Sequence, residues 1–358
     1  MAGIKQHHVW QLLQKGFARE RHGKHYIWVH QRGIEPRLET TKNFGVEPYF
    51  YGDEDSEADV NMTAFESDAQ RHVQAWRRAP DGMTVDAVTA GPIIAMIETR
   101  SRFLRNELAA NSGALVAQIP FILNSAARQP GFVRWILTEC EADLDDYLRR
   151  NGYPALSEPG VKEMVEVFLT KVLEQEESEI FRDSHGMIEK SVESIGASAR
   201  LAHSKAMQID FQTHPRLSKY SELTFHVSRT SQPFYILPDT CLAFFSGDRV
   251  LPFTTTERID FCLLPLASDL LLIGRRQKSD LREPQVYLRA LASCAYEGFI
   301  SKRPTPTIRR LERLIGKNAK LINAAERKSI VRSTNISLQE FEQIKGMSHT
   351  RIFCRPPE

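Results

Sequence analysis

Apolar residues recur at threes and fours over Val9, Leu12, Leu13, Gly16 and Phe17, which predicts a short amphipathic helix over residues 9–17. The period then drops to two. In "HYIWVHQRG", residues 25–33, Tyr26, Trp28 and His30 alternate with Ile27, Val29 and Gln31, and glycines bound the run, the pattern of a strand. With "LETTKNFGVEPYFYG" it predicts a small β-meander that closes in the aromatic cluster Tyr49, Phe50 and Tyr51.

From about Met62 to Asp210 the helical period returns, with breaks at "APDGMT", "RQPG" and "NGYPALSEPG". Four or five successive helices predict a bundle. Val161 to Ile195 is either one long helix or two stacked ones. Near Tyr220 the character changes again. "LTFHVSR", "PFYILP", "CLAFFSG", "IDFCLLPL" and "DLLLIG" predict an antiparallel sheet over about 222–275, and helices resume at roughly 284–300 and 318–332. This order predicts an α+β fold, with a central helical bundle between a small N-terminal β-meander and a C-terminal antiparallel sheet flanked by helices. The expected parts are residues 1–60, 61–219 and 220–358, joined in one globular unit.

A chain of 358 residues, 42% hydrophobic and 26% charged, can bury a sizeable core. Neither a signal-peptide pattern nor a run of roughly 18 uncharged apolar residues is present, so a soluble, cytoplasmic protein without membrane contact is expected. Cys140, Cys241, Cys262, Cys294 and Cys354 are scattered with no CxxC pair, and they read as buried thiols. The net charge of +2 hides an asymmetry. Residues 139–193 carry 15 acidic against 6 basic side chains, and residues 275–332 carry 15 basic against 5 acidic. An excess of this size can bind nucleic acid, with Arg275, Arg276, Lys302, Arg303, Arg309 and Arg310 as the candidate contacts and the prolines of "KRPTPT" keeping part of the segment extended. The competing account is that basic and acidic surfaces meet within the fold or in a homo-oligomer.

No P-loop, dinucleotide glycine fingerprint, HExxH or GxSxG occurs, and "SIGASA" and "FFSGDR" lack the glycine spacing that cradles a phosphate. No nucleotide or flavin cofactor motif is therefore present. The adjacent His7 and His8 at the mouth of the first helix are the leading candidates, since imidazole serves as metal ligand, base or acid. The bland alternative has one capping the helix or packing on Trp28 and the other solvated. Glu66 lies beside the stripe Phe65, Ala69, His72 and Trp76, while "DEDSEAD" before it reads as a solvated loop. Asp239 follows an apolar strand and a proline, where it either faces a cleft or makes an Asx-turn. In "IETRSRFLRNEL", residues 97–108, Arg102 and Arg105 share a helical face with Arg100 about 160° from Arg102. Such arginines hold buried carboxylates or line a phosphate site.

"QHHVW", Gly16-Phe17, "YIWVHQRG", "NFGVEPYFYG", "FYILPDT" and "LLPLASDLLLIG" together resemble a widespread bacterial family catalogued as the domain of unknown function numbered four-two-three-eight. The motifs run from about residue 5 to 330. The resemblance implies that His7 and His8 occupy the family's opening pair, Glu66 its mid-bundle acid, Arg100 and Arg105 its R-x-x-x-x-R helix, and Asp239 its sheet-end aspartate. Trp10 stands where many members have proline. The resemblance brings no established activity; by analogy such families sit in defence or toxin loci.

Two function classes follow. In a metal-assisted or general-base phosphodiester hydrolase or nuclease, His7 or His8 with Glu66 and Asp239 would hold a divalent metal or activate water. Arg100 and Arg105 would stabilise phosphate charge, and the basic C-terminal third would track the nucleic acid. In a binding or regulatory protein, the same residues would form a buried network fixing how the N-terminal hairpin docks. Whether the six groups converge decides between them.

Overall fold

The computed structural model describes residues 5–52, 56–116, 133, 137–138, 140–174, 194–195, 198–255, 258–276 and 282–320. The fold is α+β, and every strand pair is antiparallel among the described residues. No described helix is long and apolar enough to cross a membrane. Residue contacts divide the chain into two compact units, one containing the described residues of 5–109 and 198–320, the other those of 110–195. The expected boundaries after residues 60 and 219 fall inside the first unit, because strands pair across them.

The first unit opens with β1 (Lys5–His7), α1 (Gln11–Lys15), β2 (Arg19–Arg21), β3 (Lys24–Gln31), β4 (Ile34–Thr40) and β5 (Val46–Pro48). Next come α2 (Glu57–Arg78), β6 (Thr84–Val85), α3 (Ala87–Thr99) and α4 (Arg102–Val116), whose residues from Ala110 onward belong to the second unit. In the second unit lie α5 (Glu141–Arg150) and α6 (Val161–Glu174). The chain returns through α7 (Leu217–Tyr220), β7 (Thr224–Arg229), β8 (Leu237–Pro238), β9 (Ala243–Ser246), β10 (Arg249–Leu251), β11 (Phe261–Ala267) and β12 (Leu270–Arg275). It ends with α8 (Pro284–Cys294), β13 (Gly298–Ser301) and α9 (Pro306–Leu311).

Six strands form one sheet in the order β10-β9-β11-β12-β7-β6. The near-continuous apolar runs of β11 and β12 put them at its centre, buried on both faces, whereas β7 buries only Phe225 and Val227. The strand β6 arises in the break "APDGMT" of the expected bundle. A second sheet runs β2-β3-β13-β8, with β4 on the other side of β3. Thus "FYILPDT" does not extend the C-terminal sheet; Leu237 and Pro238 pair with β13 beside the N-terminal meander. A third, two-stranded ribbon joins β1 to β5.

The helix α2 starts at Ser56, whose side chain accepts the Asp59 amide, and buries Met62, Ala69, Val73 and Trp76. Near its end Arg77 reaches the last carbonyls of α1 and the end of β11, donating to Leu12 at 2.8 Å and Leu266 at 2.7 Å. Burial pulls its pKa down to about 10. The helix α3 is apolar all round and buried from Ala90 onward, as an internal helix must be. Its one acid, Glu98, is fully buried and satisfied: one oxygen accepts from the amide and hydroxyl of Thr254 at 2.5 and 2.8 Å and pairs with Arg216 at 2.9 Å, and the other accepts from Tyr220.

Several sequence expectations change. The stretch 97–108 is two helices, with Arg100 and Ser101 at the joint between α3 and α4. His7 sits at the end of a strand, and α1 begins only at Gln11, so the pair is not at a helix mouth. Asp59, expected in a solvated loop, is buried in the first turn of α2. The helix expected over 284–300 stops at Cys294 and gives way to β13, and residues 318–320 are not helical; 321–332 lie outside the described residues. Cys241, Cys262 and Cys294 are buried, Cys140 is half-buried, and Cys354 lies outside the described residues. Of Val161–Ile195, the helix is described to Glu174. In the second unit α5 and α6 enclose a small core of Leu137, Leu156, Leu144 and Val165.

Candidate functional site

Pairing of His7 with Val46 holds the end of β1 against β5 and presents the His7 main-chain carbonyl to the joint after α3. Three donors converge on that oxygen. Arg100 donates through Nε at 2.6 Å and through Nη2, and the Tyr51 hydroxyl donates at 2.5 Å. The remaining Arg100 nitrogen, Nη1, pairs with Glu66 of α2. Arg100 is only 3% exposed. Burial works against its charge, yet Glu66 and Tyr51 outweigh that and hold its pKa above the ordinary value.

Around this contact lies a pocket of about 160 Å³ lined by Lys5, Gln6, His7, Gln11, Tyr51, Asp59, Met62, Thr63, Glu66 and Arg100. Gln6 stitches its floor. Its amide nitrogen donates to Asp59 Oδ1 at 3.2 Å and its oxygen accepts the Tyr51 amide at 2.6 Å. The His7 Nε2 is buried with no hydrogen-bond partner among the described residues. Burial, followed by the Arg100 charge, lowers the His7 pKa, so the ring is neutral at pH 7.

His8 belongs to a neighbouring cluster. Its ring lies 5.4 Å from that of Phe50, which packs edge-on to His203 at 5.0 Å and carries the Arg105 guanidinium 4.4 Å from its centre. His8 does not cap α1, one of the bland roles expected for the pair: the residue at the cap is Trp10, without a side-chain bond. Burial and then Arg102, Arg100 and Arg105 push the His8 pKa down to about 3. Burial and Arg105 bring that of His203 to about 4. Arg105 itself is spent on both Glu47 oxygens, at 2.7 and 2.8 Å.

Asp239 stands apart from the pocket. Its oxygens accept the amides of Tyr296 and Glu297 at 2.7 Å each and of Gly298 at 3.1 Å, which fixes the turn into β13. Burial raises its pKa to about 6 against these hydrogen bonds. The sequence places it at a sheet end, as expected, but its carboxylate faces a loop backbone and not a cleft.

Among the six expected residues, then, His7, Glu66 and Arg100 share one pocket, His8 and Arg105 flank Phe50, and Asp239 is elsewhere. The set His7, His8, Glu66 and Asp239 does not come together as metal ligands would: Glu66 faces Arg100 and Asp239 faces amides. Among the described residues no three His, Cys, Asp or Glu side chains assemble for a metal. Sequence reasoning misses Gln6, Asp59 and His203. The aromatic run ending at Tyr51 signals its neighbourhood, but nothing in "RLAHSKA" marks His203.

The basic candidates are also partly engaged. Arg276 pairs with Glu222, and Arg309 pairs with Glu35 at 2.5 Å. Arg275 has an interaction of its own. Instead of extending "KRPTPT" throughout, Thr305 caps α9 and Pro306 is its first residue, leaving Lys302–Pro304 as the linker and Arg303 and Arg310 exposed. No family model, curated protein or solved structure matches the chain.

Proposed function

We propose that this chain is a binding or regulatory protein in which His7, Glu66 and Arg100 form a polar framework around a small pocket, with Arg105 in the neighbouring Phe50 cluster, and that these residues do not carry phosphodiester hydrolysis. One observation carries the reading: the Arg100 guanidinium is spent on the His7 carbonyl and Glu66, leaving no vacant fork for a phosphate. Arg105 is likewise occupied by Glu47. The pocket volume suits a small polar ligand that hydrogen-bonds to His7 and Glu66. The N-terminal ribbon is then part of the site, because Arg100 grips its backbone.

A second reading keeps the nuclease. It is favoured by the unpartnered His7 Nε2, which belongs to the same pocket as Glu66 and Arg100. A single experiment divides them: cleavage of mixed DNA and RNA by the full chain with magnesium or manganese, run beside melting of His7→Ala and Glu66→Gln. The framework reading expects no cleavage, a loss of about 1–3 kcal/mol in Glu66→Gln, which takes the charge partner from Arg100, and a smaller loss in His7→Ala, which keeps the carbonyl that Arg100 grips. Metal-dependent cleavage that disappears in His7→Ala, with the fold intact, overturns it.

A further inference from the structure

The first unit contains a second polar constellation that shares no residue with the His7 pocket. His30 on β3 hydrogen-bonds through Nε2 to Ser301 Oγ at 2.8 Å and through Nδ1 to Glu312 Oε1 at 2.9 Å. Three separate elements supply it: β3, the last residue of β13, and the turn Glu312–Leu314 that follows α9. The ladder sets the first contact. Phe299 lies opposite His30 and Ser301 two residues further along the same face, while the Phe299 ring stacks on the imidazole at 4.8 Å and fixes its plane.

The proton positions follow from the partners. A carboxylate only accepts, so Nδ1 carries hydrogen toward Glu312, and the neutral ring offers the Nε2 lone pair to the Ser301 hydroxyl. Nucleophile, base and orienting acid are thus in the order that acyl-transfer enzymes use. The Ser301 hydroxyl donates to the Arg303 carbonyl at 2.9 Å, so in this closed arrangement its single proton is held by the linker Lys302–Pro304 and reaches His30 Nε2 only when that bond is released. Ser301 is 2% exposed and is tied to the linker by this bond, whereas Arg303 is exposed. The amides of Lys302 and Arg303, directly after the nucleophile, take no acceptor among the described residues.

We propose that Ser301, His30 and Glu312 form a latent acyl-transfer triad for carboxylic esters, uncovered when the Lys302–Pro304 linker lifts and releases the Ser301 hydroxyl. Ser301 Oγ then bonds to the acyl carbon as its proton passes to His30 Nε2, and the amides of Lys302 and Arg303 receive the negative charge on the acyl oxygen. The carbon–oxygen bond to the alcohol breaks, and His30 returns the proton to that alcohol. Water repeats the sequence on the acyl-serine, giving the acid and restoring Ser301. No metal, oxidant or cofactor enters the balance.

The test is labelling of the full chain with an alkyl fluorophosphonate, followed by peptide mass mapping and by release of p-nitrophenol from p-nitrophenyl acetate. Stoichiometric modification at Ser301 is expected, absent in Ser301→Ala and slowed about 100-fold in His30→Gln. Glu312→Gln, at a partly exposed position, is the companion in which the fold survives; its labelling rate should fall at least about 10-fold and its pH profile should shift. An unlabelled Ser301 in folded wild-type protein, or equal labelling rates in wild type and Glu312→Gln, overturns the proposal.

Discussion

Arg100 holds His7 by its backbone: the guanidinium closes on the carbonyl oxygen and leaves the imidazole free of it. Removing the His7 side chain therefore spares this contact, while removing Arg100 breaks it and leaves Glu66 without its cation. Arg100→Ala is expected to cost about 2–4 kcal/mol, and Arg100→Lys, which keeps the charge but loses the fork, about half of that. Denaturant melts of the two variants check the order. Equal stability of Arg100→Ala and wild type would remove the framework from the account.

The histidines around Phe50 set the response to acid. His8 and His203 have pKa values of about 3 and 4 in the fold and about 6.5 when unfolded, so only the unfolded chain takes up their protons between those limits. Their stabilisation is complete above about pH 6.5 and is lost as pH falls toward 4. Asp239 acts oppositely: with its pKa raised to about 6, its contribution is present at low pH and fades as pH rises through 6. Two histidines outweigh one carboxyl, and the melting temperature should drop between pH 6.5 and 4. His203→Gln should flatten that slope by about one proton. A melting temperature constant from pH 7 to 5 contradicts this.

Asp239→Asn keeps the shape and removes one of the two acceptor oxygens. At least one amide among Tyr296, Glu297 and Gly298 then faces an NH₂ group, at a cost of about 1–3 kcal/mol. Hydrogen exchange at these three amides should quicken before any change in the His7 pocket. Unchanged protection there would show that the carboxylate does not hold the turn.

Charge pairing predicts weak interaction with nucleic acid. Because Arg276 and Arg309 already face Glu222 and Glu35, mixed DNA and RNA should bind poorly at about 50 mM salt. The double variant Glu35→Gln, Glu222→Gln should bind more tightly, with a steeper salt dependence. Tight, salt-sensitive binding by the wild type, weakened by loss of Arg303 and Arg310, would restore the nucleic-acid track.

The parts of the fold visible in the sequence are those with a local period. Of the stripe Phe65, Ala69, His72 and Trp76 expected on α2, Ala69 and Trp76 are buried, while Phe65 and His72 are half-buried and Met62 and Val73 complete the buried face; the runs of β11 and β12 announce central strands through their own composition. The joint at Arg100 and Ser101 is hidden, since no Gly or Pro stands there and the helical spacing continues on both sides. Leu237 and Pro238 are too short a strand to reveal which sheet they join. In the pocket, Glu66 is legible because an acid beside an apolar stripe attracts notice. The partners of Asp239 and of His30 are not, because they come from the far end of the chain and depend on strand register.

The pairing of β3 with β13 has a consequence in time. His30 and Ser301 are 271 residues apart, which at cellular synthesis rates separates their emergence from the ribosome by on the order of 15 to 50 s. Throughout that interval β3 has β2 and β4 to pair with but lacks the strand that covers its C-terminal half, and the buried face of His30 has nothing to meet. The C-terminal half of β3 stays uncovered until β13 has been made. Closure of this sheet is therefore late and slow, as for other folds dominated by distant contacts. A nascent chain arrested before Gly298 should be protease-sensitive at Lys24–Gln31, and one extended past Leu314 should not.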